Sequence, residues 1–273
     1  MTIRSRTAAS LTSGLSAIAL CTTASAAPVT VKVTIENLAP ANSVSFAPLR
    51  LGFNNGTFDA FNIGQVATAP IISVAEGGSG AAWLPAFAAA DPGAVIGSIG
   101  GPLFPGQTRE AFFTVDGTVN RFFTFGSMVI PSNDFFIGND DATEYQIFDA
   151  AGNLQITSIE QSGRDIWDAG SEAFDPANAA FVVGGNNGLR TPQNGVVSFD
   201  FAELSGFNGL TTGAGYVFNS QLTADTGIYR ISFQQVPEPS GYGLVTAGLF
   251  AAAWVSRRRK AGAATVAAVA DAA

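Results

Sequence analysis

The chain has 273 residues, a formal net charge of −8 and no histidine. The absence of histidine excludes Ser-His-Asp and Cys-His catalysis, histidine acid–base chemistry and the usual histidine-rich zinc sites. The acidic composition repels nucleic acid and anionic lipid, so we expect no nucleic-acid partner. Such a chain attracts divalent cations instead, and its many carboxylate and amide oxygens are ligands of the kind that calcium prefers.

The amino-terminal segment has the pattern of a secretory signal. Arg4 and Arg6 precede an apolar run over residues 11–20, and Ala24-Ser25-Ala26 supplies the small residues of a cleavage site. We therefore predict a signal peptide over residues 1–26 and export of the rest of the chain.

The only cysteine, Cys21, lies inside this signal and leaves a lipoprotein signal as an alternative. Leu20 stands before it, where a small residue would be expected, which favours ordinary cleavage after Ala26. The exported domain then has no disulfide to stabilise it. A bound ion is one way for a glycine-rich domain of this kind to gain rigidity.

The central part of the chain has the period-two hydrophobic pattern of half-buried strands. Residues 76–106 differ, because proline and glycine interrupt them, and they predict a long connection with one small helix. Short strands without long helices indicate an all-β fold, a two-sheet antiparallel β-sandwich over residues 27–235. The predicted strands are 30–36, 49–53, 110–115, 121–130, 143–149, 154–160, 179–183, 195–201 and 227–233.

The carboxy-terminal part predicts a single membrane helix. Residues 240–256 carry no charge, and the four residues 257–260 that follow are all basic. An apolar run of this length is at the short end of what spans a bilayer, and the basic cluster would stay on the cytoplasmic side. The alternative is a buried hydrophobic helix of the main domain, which would not require four consecutive cations at one end.

Val236-Pro237-Glu238-Pro239, the apolar helix and the arginine cluster occur in the order of a known export signal. Over residues 236–260 the arrangement resembles the PEP-CTERM sorting signal of Gram-negative bacteria. The resemblance implies processing by an exosortase after transient anchoring in the inner membrane. It further implies a final location at the cell surface or in the extracellular matrix, with exopolysaccharide or biofilm. Residues 261–273 depart from the family pattern and predict a disordered Ala-rich tail.

Two ordered motifs in the central domain carry a second resemblance. Pro131-Ser132-Asn133-Asp134 ends a predicted strand, and Asp168-Ala169-Gly170 follows about thirty residues later. This pair resembles the signature of spondin amino-terminal domains. Asn133 in place of proline, Phe135 in place of tryptophan and the missing cysteines are departures from the animal pattern. The resemblance implies a calcium-binding β-sandwich whose loops at one end hold the ion, and a role in adhesion or in extracellular matrix.

Carried over to the matching positions, the calcium ligands of that family correspond to Asp134 and Asp168. The nearest candidate for a third acidic ligand is Asp116. Two carboxylates on loops at one end of a sandwich repel each other unless a cation lies between them. Backbone carbonyls, Asn133 or water would complete the shell. The alternative is that both aspartates only cap turns.

We therefore expect an exported, calcium-binding, non-enzymatic adhesion or matrix module that binds a polysaccharide or a surface protein. The alternative is a hydrolase that acts on exopolysaccharide through paired carboxylates, which need no histidine. Asp165 with Glu172, or Asp134 with Asp168, are the pairs that such a hydrolase would use. We expect the acidic residues at 140, 141 and 144 to form a solvated loop instead of a ligand set.

Overall fold

The structure is a computed structural model that describes residues 27–237. The predicted signal peptide over residues 1–26, the predicted membrane helix over residues 240–256 and the predicted tail over residues 261–273 lie outside this part, as does most of the predicted sorting signal. Within residues 27–237, no helix has the length and apolar composition required to cross a membrane.

The described chain is mostly β-structure. Two helices, α1 (Ala69–Gly77) and α2 (Trp83–Ala90), and two short 3-10 helices, Gly163–Asp165 and Phe201–Phe207, interrupt the strands. The strands are β1 (Val29–Asn37), β2 (Ser45–Phe46), β3 (Leu49–Asn54), β4 (Val95–Ile99), β5 (Thr108–Val115), β6 (Phe122–Ile130), β7 (Phe135–Gly138), β8 (Ser158–Ser162), β9 (Trp167–Asp168) and β10 (Gly227–Val236).

These strands form two antiparallel sheets, as the sequence predicts. One has four strands in the order β5-β1-β10-β8, and the other has the order β4-β3-β6-β7-β9 with β2 added beside β6. Alternate side chains of β1 are buried, because successive residues of a strand point to opposite faces. The sheets share one apolar core, in which the rings of Phe53 and Phe123 lie 6.2 and 4.9 Å from the ring of Phe233 in the other sheet.

A helical layer covers the outer face of the larger sheet. Strand β6 is buried on both faces, because the core lies on one side of it and α1 packs on the other. Phe58 stacks on Phe87 of α2 at 4.1 Å, and Trp83 meets the same ring at 4.8 Å. A side chain at Gly52 would collide with Phe87 at 2.4 Å, so glycine there lets α2 approach the sheet.

The predicted connection over residues 76–106 is more regular than expected. It contains the end of α1, the whole of α2 and strand β4, which pairs with β3. Helix α1 begins with a proline in its first turn and ends at Gly78, whose positive φ of 59° closes the helix. Within the segment itself, Pro85 lies in the first turn of α2, so this proline is part of a helix and does not interrupt one.

Four of the predicted strands are wrong. The segments 143–149, 179–183 and 195–201 make only isolated bridges, and 154–160 contributes only the start of β8. Some of their apolar residues, such as Ile147 and Val197, are buried without forming ladders, whereas Val183 and Phe199 are exposed. Turns rich in glycine and asparagine separate these segments from any continuous partner strand. Most of residues 169–226 is therefore irregular, and this region covers the end of the sandwich at which Asp134 and Asp168 lie.

Candidate metal centre

Asp168 is held by backbone pairing on both sides. It lies opposite Phe135 in the β7–β9 ladder, and it exchanges two backbone hydrogen bonds with Ser198, of 2.9 and 3.0 Å. The 3-10 helix Phe201–Phe207 begins only three residues beyond Ser198. The bridge to Ser198 thus brings the start of this helix, with Asp200 and Glu203, next to Asp168.

Asp168, Asp200 and Glu203 form a carboxylate cluster. Each offers one oxygen, and the three oxygens lie within 4.8 Å of one another, which is close enough to hold a metal ion. The Asp168 side chain is buried, with 5 % of the residue exposed, whereas the other two carboxylates reach the surface. In residues 27–237 this is the one group of three or more ligating side chains that meets this criterion.

Asp134 lies beside this cluster, in the turn between β6 and β7. Its Oδ2 accepts hydrogen bonds from the backbone N–H groups of Ser171 and Glu172, at 2.8 and 2.9 Å, and from the Ser171 hydroxyl at 3.1 Å. Oδ1 of Asp168 accepts one from the N–H of Gly170. Both aspartates therefore hold the loop over residues 168–172, and in each case the hydrogen bonds engage a single carboxylate oxygen.

Gly170 is required by the shape of this loop. Its φ is +64°, in the region that side chains disfavour, and a Cβ there would lie 2.8 Å from both the N and the O of Val196. Its own carbonyl accepts a hydrogen bond from Gly195 at 2.9 Å. The glycine thus lets the 168–172 loop lie directly against the segment that leads to Asp200.

The carboxylates of the cluster disfavour one another's charge. Burial and, after it, the negative charges of Asp134, Glu203 and Asp200 together raise the pKa of Asp168 to about 7, although the hydrogen bond from Gly170 acts in the opposite direction. Burial also raises the pKa of Asp134 and of Glu203. The charged groups that shift the pKa of Asp168 are all acidic, so a cation bound between these carboxylates would favour their ionised forms.

On the other side of Asp134, Arg190 supplies a counter-charge. It contacts Glu76 through Nη1 and lies 3.7 Å from Oε2 of Glu172 through Nε. The pKa of Glu172 is nevertheless raised, chiefly by burial, and its Oε2 has no hydrogen-bond partner. The acidic side chains on the two sides of Asp134 thus differ. Glu76 and Glu172 lie against Arg190, whereas Asp168 lies in a cluster of three carboxylates.

The structure does not bring Asp116 to the other predicted ligands. Asp116 follows β5, whose last residue pairs with Val29 at the start of β1. Asp134 follows β6, at the opposite end of the sandwich. There Phe46, which pairs with β6, contacts Tyr229, and Tyr229 pairs with the last residue of β1. The Asp116 carboxylate accepts hydrogen bonds from the N–H and hydroxyl two residues on, at 2.9 and 2.6 Å, and caps its own turn.

Asn133 is engaged elsewhere as well. Its amide nitrogen donates to Glu172 at 3.1 Å and to the carbonyl of Asp175 at 3.2 Å, and its oxygen accepts from the N–H of Asp175 at 3.0 Å. Its side chain therefore orders the loop after residue 172, and its oxygen already accepts a hydrogen bond there. The carboxylates that do lie next to Asp168 are those of Asp200 and Glu203, which sequence reasoning missed; Asp116 and Asn133 are not part of this cluster.

The one sequence signal for Asp200 and Glu203 is their spacing of three residues, which puts two acidic side chains on one face of a helical turn. Nothing local connects them to Asp168. No family model matches this chain, and a search of curated proteins gives no match either.

Proposed function

We propose that this chain is an exported, non-enzymatic binding module that holds calcium at Asp168, Asp200 and Glu203, with Asp134 as a neighbouring anion. The observation that carries the proposal is the convergence of three carboxylates around a buried Asp168 whose pKa is about 7. A cation there would remove the repulsion between them and would fix the 168–172 loop against the 3-10 helix.

The donor set favours calcium over other ions. All the donors are oxygens, which suit hard cations, and no histidine or cysteine lies within residues 27–237. Two of the three carboxylates are partly exposed, so water can complete a shell of six to eight oxygens. Magnesium requires a tighter octahedral geometry, for which three carboxylates from a two-residue strand and the start of a 3-10 helix are less suited.

The proposed biological role is adhesion or matrix assembly, with a polysaccharide or a surface protein as ligand. Support comes from the order of the sorting motif, the resemblance to spondin amino-terminal domains and the two antiparallel sheets with loops at one end. Exosortase processing at the inner membrane of a Gram-negative bacterium would deliver the domain to the cell surface or matrix.

Calorimetric titration of calcium into the purified chain tests the ion site. We expect saturable binding of one ion and its loss in Asp168→Asn, because the central ligand then has no charge. Retention of the chain on exopolysaccharide isolated from the producing bacterium, with and without a chelator, tests the adhesion role. Absence of calcium binding would overturn the ion site, and absence of retention would overturn the adhesion role.

Replacement of Arg257, Arg258 and Arg259 by alanine tests the sorting proposal. The positive cluster fixes the orientation of a membrane segment, so we expect the variant to remain unprocessed or misoriented. Processing and release at the normal rate would contradict a PEP-CTERM signal in this chain.

A second candidate function, a hydrolase acting on exopolysaccharide, has one observation in its favour. Asp168, with a pKa of about 7, lies beside a second carboxylate, Asp134, and such a pair can serve as general acid and base. Release of new reducing ends from exopolysaccharide by the purified chain would favour the hydrolase. We expect none, because a calcium-bound aspartate is a poor general acid.

A further inference from the structure

A second acidic site, which we call the acidic cleft, opens on the other face of β9. Trp167 and Asp168 are consecutive in this strand, so their side chains point to opposite faces. The cleft on the Trp167 face has a volume of about 320 Å³. The side chains that define it are Asp140, Asp141, Glu144, Gln161, Asp165 and Trp167.

The carboxylates of the acidic cleft are held in place by the backbone. Oδ1 of Asp140 accepts a hydrogen bond of 2.6 Å from the N–H of Ile63, and Oδ2 of Asp165 accepts one of 2.6 Å from the N–H of Ser162. Asp141 is held in the same way by the N–H and hydroxyl two residues on. In each of these bonds one oxygen is engaged, and the carboxylate is oriented without being neutralised.

Gln161 provides an independent sign of a ligand. The residue lies in β8 and lines the cleft, with only 3 % of its surface exposed. Its Nε2 donates to the hydroxyl of Tyr145 at 3.2 Å, whereas its Oε1 is buried and has no hydrogen-bond partner. A buried acceptor without a donor is unfavourable, so a ligand that donates a hydrogen bond to this oxygen would stabilise the protein.

The charge and spacing of the cleft select the kind of ligand. Four carboxylates line it and, within the described chain, no lysine or arginine does. Their oxygens do not converge in the way that Asp168, Asp200 and Glu203 do, so the cleft suits a donor larger than a metal ion. Burial raises the pKa of Glu144, and a positive ligand would favour its ionised form. Trp167 also lines the cleft, and cations are attracted to the face of an indole ring.

We propose that the acidic cleft binds a small organic cation that carries a protonated primary amine. The ammonium group donates to the free carboxylate oxygens and to Oε1 of Gln161, while the carbon skeleton lies against Trp167. An amino sugar and a polyamine share this chemistry. The site is separate from the candidate calcium site, and its occupancy does not depend on the function proposed above.

The test is calorimetric titration of the purified full chain with glucosamine, with spermidine and with N-acetylglucosamine as the neutral analogue. We expect one of the two amines to bind and the neutral analogue to bind about tenfold more weakly or not at all, because it lacks the charge. Preference for glucosamine assigns an amino sugar, and preference for spermidine assigns a polyamine. Absence of binding by both amines at millimolar concentration, or equal binding of the neutral analogue, overturns the proposal.

Two amide variants locate the binding. Asp140→Asn and Glu144→Gln remove one charge each and keep the acceptor oxygen for their backbone donors, so we expect both to fold and to bind the amine about tenfold more weakly. The matched control is Asp149→Asn, an exposed turn aspartate that accepts similar backbone hydrogen bonds and does not line the cleft. An equal loss in the control, or full affinity in both cleft variants, would show that the amine binds elsewhere.

Discussion

The two acidic regions on either side of β9 differ in how their charges are arranged. On the Asp168 side three carboxylates converge on one point, and the central one is buried. On the Trp167 side four carboxylates are spread around a cleft, and backbone N–H groups hold them apart. Similar side chains therefore suit different ligands, because converging carboxylates suit a metal ion, whereas carboxylates spread around a cleft beside a tryptophan suit an organic cation.

The largest effect that separates the two regions is on calcium affinity. We expect Asp168→Asn to weaken calcium binding by about 100-fold or more, since it removes the charge of the central ligand. Combining it with Glu203→Gln should cost little more, because ligands of one ion act as a unit. Calorimetric titration provides the measurement, and Asp140→Asn in the acidic cleft is the control. Additive losses, or a larger loss in the control, would place the ion elsewhere.

The next effect is on stability. An ion that binds only the native state stabilises it by about 2.7 kcal/mol when its free concentration is 100 times its dissociation constant. We therefore expect a chelator to lower the melting temperature of the chain, and Asp168→Asn to remove most of that difference. Melting curves that coincide with and without chelator would contradict a structural ion.

The dependence of stability on pH has an unusual sign at this site. The folded-state pKa of Asp168, about 7, lies above the ordinary aspartate value of 3.8, so the folded state binds the proton more tightly than the unfolded state does. In chelator, lowering the pH from about 7.5 to about 5.5 should therefore raise the free energy of unfolding by about 2 kcal/mol through Asp168 alone. Saturating calcium should abolish this rise, since the ion keeps Asp168 ionised. Denaturant unfolding at the two pH values measures it, and Asp168→Asn should remove the effect.

The sequence predicted the regular half of the molecule better than the half that holds the site. In β1 the alternation of Val31, Val33 and Ile35 is enough, because a half-buried strand needs only one buried face. The same alternation in residues 179–183 and 195–201 predicts strands that do not form. Ala179 and Val197 are buried there, but Val183 is exposed, and both segments make only isolated bridges. A hydrophobic alternation alone does not distinguish a strand from a packed loop.

The ligand set shows the same limit. Asp134 and Asp168 can be identified from the sequence because each lies in a short motif of neighbouring residues. Asp200 and Glu203 reach Asp168 through the bridge between Asp168 and Ser198, a contact that no local pattern encodes. Asp116 was chosen for its position before the motif, and the strand register places it at the opposite end of the sandwich.

The smallest predicted effect concerns Asp116, the ligand candidate that the register separates from the others. Asp116→Asn keeps an acceptor for the turn two residues on and removes a charge that lies far from Asp168. We expect calcium affinity within about twofold of the unchanged chain, since a charge at the far end of the sandwich is largely screened by salt. Calcium titration at physiological ionic strength measures this affinity. Glu203→Gln is the comparison variant, in which we expect calcium binding to be weakened. A loss of calcium affinity in Asp116→Asn as large as that in Glu203→Gln would contradict the ion site at Asp168. Protonation of the carboxylates would then be what relieves the repulsion within the cluster around Asp168.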